Sequence, residues 1–113
     1  MKYIVAVIQP DRLQDVLDAL EKAEVHLVTA VQVMGRGRQK GVAQVYRGHK
    51  EAGSLLRKVK LEIAINDNFV ERTIEAITSA ARTGNIGDGK IFIMPLEQCI
   101  RIRTGETGSV AIG

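Results

Sequence analysis

The sequence predicts an α+β domain in which four strands and two helices follow the order β-α-β-β-α-β. Three observations predict this order: β-branched apolar runs that suit strands, two segments with apolar residues at helical spacing, and one long glycine-interrupted segment between the second and third strands. The order is that of the ferredoxin-like fold, with an antiparallel sheet and two helices on one face. A chain of 113 residues is expected to form one domain, which we assign to residues 1–113.

The first third of the chain supplies a strand, a helix and a second strand. Lys2–Ile8 is a nearly continuous apolar run closed by Pro10, which predicts a central strand buried on both faces. Asp11 is placed to cap a helix. The apolar stripe of this helix consists of Leu13, Val16, Leu17 and Leu20. Residues 25–34 are again rich in β-branched side chains and predict the second strand.

The second half repeats the pattern. Residues 58–65 alternate between apolar and polar side chains, which predicts a half-buried strand. Its core face would hold Val59, Leu61, Ile63 and Ile65. Asp67 or Asn68 can cap a second helix, and residues 91–96 predict the fourth strand. The second helix has the stripe Val70, Ile74, Ile77 and Ala81. Because the strands are apolar on both sides and the helices cover one face, the bare sheet is expected to pack in a homo-oligomer.

Two segments are predicted to be loops. Residues 36–55 are cationic and interrupted by glycines, and apolar side chains are sparse there. A loop of this length in a compact domain is usually functional. The second loop is expected at the C-terminal end, over about residues 97–113.

A glycine-rich loop is predicted between the second helix and the fourth strand. The residues from Gly84 to Lys90 match the start of the P-loop pattern G-x-x-x-x-G-K. Ile91 stands where a P-loop has Ser or Thr, and this loop precedes a strand whereas a P-loop follows one. The glycines allow a close approach of the backbone to a ligand, and the lysine suits a phosphate. The segment therefore predicts an anion site of a different architecture.

Composition excludes several classes of partner. The net charge is +3, but the basic residues are not interleaved with aromatic side chains, so nucleic acid is not expected to bind. Cys99 is the only cysteine, which excludes an intramolecular disulfide and predicts a cytoplasmic protein. No stretch approaches the length of about 18 apolar residues that a membrane helix needs, so no direct membrane insertion is expected.

Three motif blocks resemble the PII nitrogen regulatory signal-transduction family, and the resemblance covers almost the whole chain. The first block is Gly-Arg-Gly-Arg-Gln-Lys-Gly at residues 35–41, and the second is Tyr-Arg-Gly at residues 46–48 followed by residues 58–63. The third combines Thr-Gly-Asn-Ile-Gly-Asp-Gly-Lys-Ile-Phe at residues 83–92 with Arg-Ile-Arg-Thr-Gly-Glu at residues 101–106. This last combination is the most specific of the three.

The resemblance implies a homotrimer that binds ATP or ADP in clefts between subunits. It also implies that Mg²⁺ with ATP supports the binding of 2-oxoglutarate. Residues 36–55 would be the family's T-loop, which docks onto targets such as an ammonium channel or a nitrogen-metabolism enzyme. A regulator of this kind is not expected to be an enzyme, although slow ATP hydrolysis would be compatible with it.

The resemblance also assigns residues to sites. Phosphates would be held by the glycine loop and by arginines of the neighbouring subunit, with Asp88 shaping the loop and Thr29 near the adenine. The nucleotide-binding residues would be Thr29, Gly35, Gly37, Arg38, Gln39, Ala64, Gly87, Asp88, Gly89, Lys90, Arg101 and Arg103. The 2-oxoglutarate site would comprise Gln39, Lys40, Gly41 and Lys58. Gln39 would be the protein ligand of Mg²⁺, which prefers oxygen donors.

The T-loop departs from the family pattern. Many members carry a modifiable tyrosine three residues after the Tyr-Arg-Gly block, where this chain has Glu51. A carboxylate cannot accept a nucleotidyl group as a phenol does, so no modification is expected at this position. Tyr46 stays open as an acceptor, and the unusual loop tip leaves the target undefined.

Other interpretations stay open from the residues alone. Arg101 and Arg103 alternate on a segment predicted to be extended, and both side chains would then point to one solvated side. Lys58 could protect the edge of a strand. The protein could also be a divergent PII-like adenine-nucleotide sensor that answers another small anion, such as bicarbonate, and regulates a different transporter or enzyme.

Overall fold

Four antiparallel strands form one sheet in the order β2-β3-β1-β4. The computed structural model describes residues 1–37 and 55–113. The strands are β1 (Lys2–Ile8), β2 (Thr29–Gly35), β3 (Leu56–Ile65) and β4 (Gly89–Pro95). This order places β1 and β3 in the interior of the sheet, and it confirms the predicted ferredoxin-like arrangement.

The helices follow β1 and β3, as the sequence predicts. They are α1 (Leu13–Lys22) and α2 (Val70–Ala81), and a short α3 (Ser109–Ile112) lies near the end of the chain. Each of the two long helices is entered through a 3-10 turn, Pro10–Arg12 before α1 and Asp67–Phe69 before α2. Neither helix makes a side-chain capping hydrogen bond at these starts.

The core lies between the two long helices and one face of the sheet. The strand register places Ile4 opposite Ile63 and Ile8 opposite Val59, so these side chains share the helix-facing side. The alternation predicted for residues 58–65 is confirmed. Its core face is buried against Val16, Leu20 and Ile77 of the helices. Burial of large aliphatic side chains of this kind contributes about 1.5–3 kcal/mol each.

In residues 1–37 and 55–113, the other face of the sheet keeps several large apolar side chains exposed. Antiparallel pairing puts Val5 beside Phe92 and Glu62, and it puts Thr29 beside Glu62 on the same face. On this face Val31 is 40%, Phe92 49% and Met94 40% exposed. We call this side of the sheet the open face. An apolar surface of this kind on a folded protein marks an interaction site.

Some predicted boundaries and caps are wrong. The second strand begins at Thr29 and not at Val25, because the Val25 N–H is bonded to the carbonyl of Leu20 and closes helix α1. The third and fourth strands each begin two residues earlier than predicted, and the fourth ends at Pro95. Asp67 does not cap its helix: it accepts a hydrogen bond of 3.0 Å from the Met1 ammonium group. Asp11 and Asn68 also make no capping bond.

Within the described residues, no helix combines the length and the apolar character needed to cross a membrane. The predicted T-loop, residues 36–55, lies outside the described residues except for its first two positions and its last.

Glu24 provides a test of how helix α1 ends. It has φ of 64°, a left-handed conformation that costs a non-glycine residue free energy. The substitution Glu24→Gly is expected to raise the free energy of unfolding by about 1 kcal/mol. The Arg72–Glu24 ion pair of 3.7 Å is exposed, so its loss takes little of this gain.

Urea unfolding at one fixed protein concentration measures this effect. Glu24→Ala is the matched control, because it loses the same ion pair and keeps the strained backbone. A glycine variant no more stable than the alanine variant would contradict the interpretation.

Candidate anion-binding site

The glycine loop connects the end of α2 to the start of β4, as the sequence predicts. The Asp88 carboxylate closes it: Oδ2 accepts the backbone N–H groups of Thr83 at 2.8 Å and Gly84 at 2.9 Å. Its other oxygen accepts the Thr83 hydroxyl. These hydrogen bonds stabilise the charged carboxylate and hold the pKa of Asp88 below its usual range. Both carboxylate oxygens of Asp88 therefore accept hydrogen bonds from other residues of the same loop.

The loop is also bonded to the rest of the domain through one carbonyl group. The Gly87 oxygen accepts a hydrogen bond of 2.7 Å from Gln9 Nε2, at the end of β1. It also accepts a long bond of 3.4 Å from Lys58 Nζ on β3. The loop thus lies against the ends of two interior strands.

Lys58 does not protect a strand edge, because β3 lies between β2 and β1. Its residue surface is only 8% exposed, and burial lowers the pKa of its ammonium group. In the part of the chain that the structure describes, no carboxylate forms an ion pair with it. The long hydrogen bond to the Gly87 carbonyl offsets little of the desolvation cost of the buried Lys58 ammonium group. A bound anion next to this group would therefore stabilise its charged form.

A cavity of about 600 Å³ opens beside Lys58. We call it the cationic cavity. Three of its walls carry positive side chains, Arg36, Lys58 and Lys90, and none of the lining residues that the structure describes is acidic. The remaining walls are Val7, Gly37, Ile86, Gly87, Gly89 and Phe92. The structure thus brings together five residues assigned from the sequence: Gly37, Lys58, Gly87, Gly89 and Lys90.

The sequence reasoning missed Arg36, Val7 and Phe92 as cavity walls. From the sequence, Arg36 was assigned only to the cationic loop of residues 36–55 and to no binding site, although it stands between two glycines of the first motif block. Val7 and Phe92 were assigned to strands, and only the pairing of β1 with β4 places them at this cavity.

Two other assigned residues, Thr29 and Ala64, lie in a second cavity. It has a volume of about 420 Å³ and includes Tyr3, Glu62 and Cys99 among its walls. Burial and a hydrogen bond to Glu62 raise the pKa of Tyr3. Its walls are mostly apolar or uncharged, and Glu62 is the charged residue among the described walls, so this cavity differs from the cationic one. We call it the Thr29 cavity.

The two cavities share no wall residue within one chain. Thr29 pairs with Glu62 at one end of β2, and Gly35 pairs with Leu56 at the other. On β3 the wall residues Lys58 and Glu62 are four residues apart, which corresponds to about 13 Å of strand. The predicted nucleotide residues therefore do not meet in one site of a single chain. Gly35 itself lies beside Lys58, where an added Cβ would be 3.8 Å from the lysine Cγ.

The prediction of an extended segment at Arg101 and Arg103 is wrong. The Arg101 N–H is bonded to the Glu106 carbonyl at 2.9 Å, and the Gly105 N–H to the Arg101 carbonyl at 2.7 Å. Gly105 has φ of 75°, which permits this reversal. The Arg101 guanidinium also contacts Glu106 Oε1 at 2.8 Å and the Val110 carbonyl at 3.0 Å. Neither arginine lines the two cavities, and Arg103 is exposed on the turn.

The remaining assignments lie outside the described residues. These are Arg38, Gln39, Lys40 and Gly41, together with Tyr46 and Glu51 of the loop tip. The Mg²⁺ ligand Gln39 and most of the 2-oxoglutarate site therefore stay predictions. Across residues 1–37 and 55–113, no group of three or more His, Cys, Asp and Glu side chains could hold a metal ion.

Gly89 is expected to tolerate no side chain. Its φ is +115°, and a Cβ there would lie 1.8 Å from the Val7 carbonyl oxygen, which cannot move without breaking the pairing of β1 with β4. Gly89→Ala should lower the free energy of unfolding by about 3 kcal/mol. Gly84→Ala is the matched control from the same loop, since its φ is +90° but no atom lies within 4 Å. Gly84→Ala should lower the free energy of unfolding by about 1 kcal/mol. If urea unfolding showed equal losses of stability for the two variants, the proposed clash at Gly89 would be contradicted.

Asp88 is expected to make stability depend on acid pH. Its pKa is lower in the folded chain than its unfolded value of about 3.8. Its contribution is therefore complete above that value and is lost as the pH falls through the folded pKa. Asp88→Asn should lower the urea midpoint at neutral pH and reduce the further loss on acidification. The control is Asp18→Asn on the exposed side of α1, and an acid response identical to that of Asp88→Asn would contradict the assignment.

Comparison with known proteins agrees with the motif blocks. The family model described as nitrogen regulatory protein P-II matches residues 1–106. The chain is 52% identical over 112 residues to nitrogen regulatory protein P-II of Cereibacter sphaeroides, covering 99% of this chain and 100% of the relative. It is 51% identical over 114 residues to nitrogen regulatory protein GlnK1 of Methanosarcina mazei, covering 99% and 97%. Nitrogen regulatory protein P-II 2 of Methanothermobacter thermautotrophicus is 49% identical over 112 residues, again covering 99% and 97%. The chain belongs to the nitrogen regulatory P-II family.

Proposed function

We propose that this protein is a PII-type signalling protein that binds ATP or ADP and, with Mg²⁺ and ATP, 2-oxoglutarate. The observation that carries the proposal is the buried Lys58, which faces a cation-lined cavity without a carboxylate partner among the described residues. The bound anions would then regulate a protein target through the T-loop.

The cationic cavity suits the phosphate groups of a nucleotide. Lys90 and Arg36 offer positive charge from two sides, and charge-assisted hydrogen bonds to phosphate are among the strongest in proteins. Gly87 and Gly89 contribute walls without side chains, so the backbone of the loop can come close to an anion. Lys58 would bind the dicarboxylate that accompanies the nucleotide, and Gln39 would contribute an oxygen to Mg²⁺. Bound Mg²⁺ would supply positive charge that holds phosphate and keto-acid oxygens together.

The Thr29 cavity would hold the adenine base, with Thr29 and Ala64 among its walls. Since the two cavities share no wall residue in one chain, a nucleotide could use one cavity from each of two neighbouring copies. We propose a homotrimer in which each nucleotide lies between neighbouring subunits. The exposed apolar side chains of the open face support this association. Arg101 and Arg103 would reach the phosphates from the neighbouring subunit, Arg101 after exchanging its contact with Glu106.

The proposed output is regulatory and not catalytic. Any ATP hydrolysis is expected to be slow, because the described walls of the two cavities contain no Ser-His or Cys-His pair. The target would be an ammonium channel or a nitrogen-metabolism enzyme of the cytoplasm. Glu51 at the usual tyrosine position supports control by ligands alone, without nucleotidylation.

Calorimetric titration with 2-oxoglutarate tests this function. Binding is expected in the presence of Mg²⁺ and ATP and absent in ADP. Lys58→Met should remove 2-oxoglutarate binding, because it replaces the ammonium group by an apolar chain of similar length. Lys60→Met is the matched control on the same strand and face, where the native lysine is paired with Glu62 at 3.5 Å.

The titration also separates the alternative function. Unchanged 2-oxoglutarate binding by Lys58→Met would overturn the role of Lys58. Nucleotide binding without any 2-oxoglutarate binding would favour a sensor of another small anion, and bicarbonate would be titrated next.

The trimer is tested at the open face. Phe92→Lys would place a charge on the exposed apolar side of β4, and it is expected to shift the protein from trimer to monomer in sedimentation velocity. Gln14→Lys adds the same charge on α1 and should leave the trimer intact. A trimeric Phe92→Lys variant would contradict the use of this face.

A further inference from the structure

A third cavity, of about 260 Å³, lies at the end of the sheet opposite the glycine loop. We call it the apolar cavity. The end of β3 forms one side of it, and the segment between α1 and β2 forms another. Most of its walls are apolar side chains, namely Val25, Leu27, Ala64, Ile65, Phe69 and Ile112. The proposed function assigns no ligand to this cavity.

Hydrogen bonds hold the short helix α3 in place as a wall of the apolar cavity. Asn66 Nδ2 donates to the Ser109 carbonyl at 3.2 Å, and the Arg101 guanidinium donates to the Val110 carbonyl at 3.0 Å. By contrast, the wall residue Leu27 keeps 69% of its surface exposed. A ligand with an apolar body would remove part of this surface from water, which is favourable.

The described walls carry one acidic side chain, Glu24, and neither lysine nor arginine. The partner of Glu24 is Arg72 outside the walls, at 3.7 Å, and Arg72 also lies over the Phe69 ring at 4.4 Å from its centroid. The wall residue His26 is paired elsewhere, since its Nδ1 lies 2.8 Å from Glu21 Oε2. The Glu24 carboxylate thus has only a long and exposed ion pair, and its oxygens can accept further hydrogen bonds.

We propose that the apolar cavity binds a small hydrophobic amine. The apolar body of the ligand would lie among the aliphatic and aromatic walls, and its ammonium group would donate charge-assisted hydrogen bonds to Glu24. A carboxylate of the same shape would be repelled by Glu24. The volume suits one aromatic ring with a short side chain, because an apolar cavity of about 150 Å³ can already hold benzene.

Three probes of similar shape and different charge test the proposal on the full chain. Phenethylamine is positive, 2-phenylethanol is neutral and 3-phenylpropionate is negative at neutral pH. Each is titrated into the protein without nucleotide, and the NMR signals of the isoleucine methyl groups are followed. The amine is expected to bind most tightly and the carboxylate most weakly, with shifts of the Ile65 and Ile112 signals.

Substitution of Glu24 separates the charge from the apolar walls. Glu24→Gln should weaken phenethylamine by about two- to fivefold, as is typical of an exposed ion pair. It should leave the affinity for 2-phenylethanol unchanged. Glu21→Gln is the matched control, because it removes an acidic side chain that is near the cavity in sequence but is not one of its walls. It should leave the preference for the amine intact.

The position of the bound probe is decided by walls that belong to one cavity alone. The apolar cavity and the Thr29 cavity have three walls in common, Leu27, Ala64 and Ile112. Nuclear Overhauser contacts from the phenethylamine ring to Ile65 and Phe69 are expected, since these residues line only the apolar cavity. Contacts to Tyr3 and Thr29 instead would place the probe in the Thr29 cavity and overturn the proposal.

Two further results would overturn it: no binding of phenethylamine, or equal affinities for the amine and the carboxylate. Since the samples contain no nucleotide, none of these outcomes depends on the proposed function. Failure of 2-oxoglutarate or ATP binding would in turn leave this inference standing.

Discussion

The Gly87 carbonyl oxygen is the point at which three parts of the fold meet. It accepts hydrogen bonds from Gln9 at the end of β1 and from Lys58 on β3, and it belongs to the loop that leads into β4. Asp88, the next residue, closes the loop from the inside through Thr83 and Gly84. These hydrogen bonds, to β1 and β3 on one side and within the loop on the other, hold the loop residues that form walls of the cationic cavity. Without these bonds the glycines would lose their fixed geometry, since glycine has the largest conformational freedom in an unfolded loop.

Burial of Lys58 follows from its place in the sheet. An interior strand is covered by neighbours on both sides, so a long side chain at its end is desolvated even on the open face. Among the described residues, many of the acidic side chains lie elsewhere, on the two long helices and the turns that lead into them. These are Asp11, Asp15, Asp18, Glu21, Glu71 and Glu75. The helices thus carry these acidic side chains, whereas the described walls of the cavity carry three basic ones.

Two features of the sheet support the association of copies in the proposed function. Two helices cover one face and leave apolar side chains exposed on the other, as an assembly would require. The same strands carry the cationic cavity at one end of β2 and the Thr29 cavity at the other. Association of copies would cover the open face and unite the two cavities, so the nucleotide site and the assembly have one structural basis in the proposed function.

The sequence by itself determined the order of elements, the core face of β3 and the family, because hydrophobic periodicity and glycine motifs are local properties. It placed the glycine loop correctly between a helix and a strand, and its pattern excluded a P-loop. The start of β2, the helix caps and the turn at Arg101 were predicted wrongly, since each depends on hydrogen bonds that periodicity does not report. Only the tertiary structure decided that Lys58 is interior and not at an edge, that Arg36 joins it at one cavity, and that Thr29 and Ala64 belong to another. These facts depend on strand order and register, which bring together residues distant in the chain, and no local pattern encodes them.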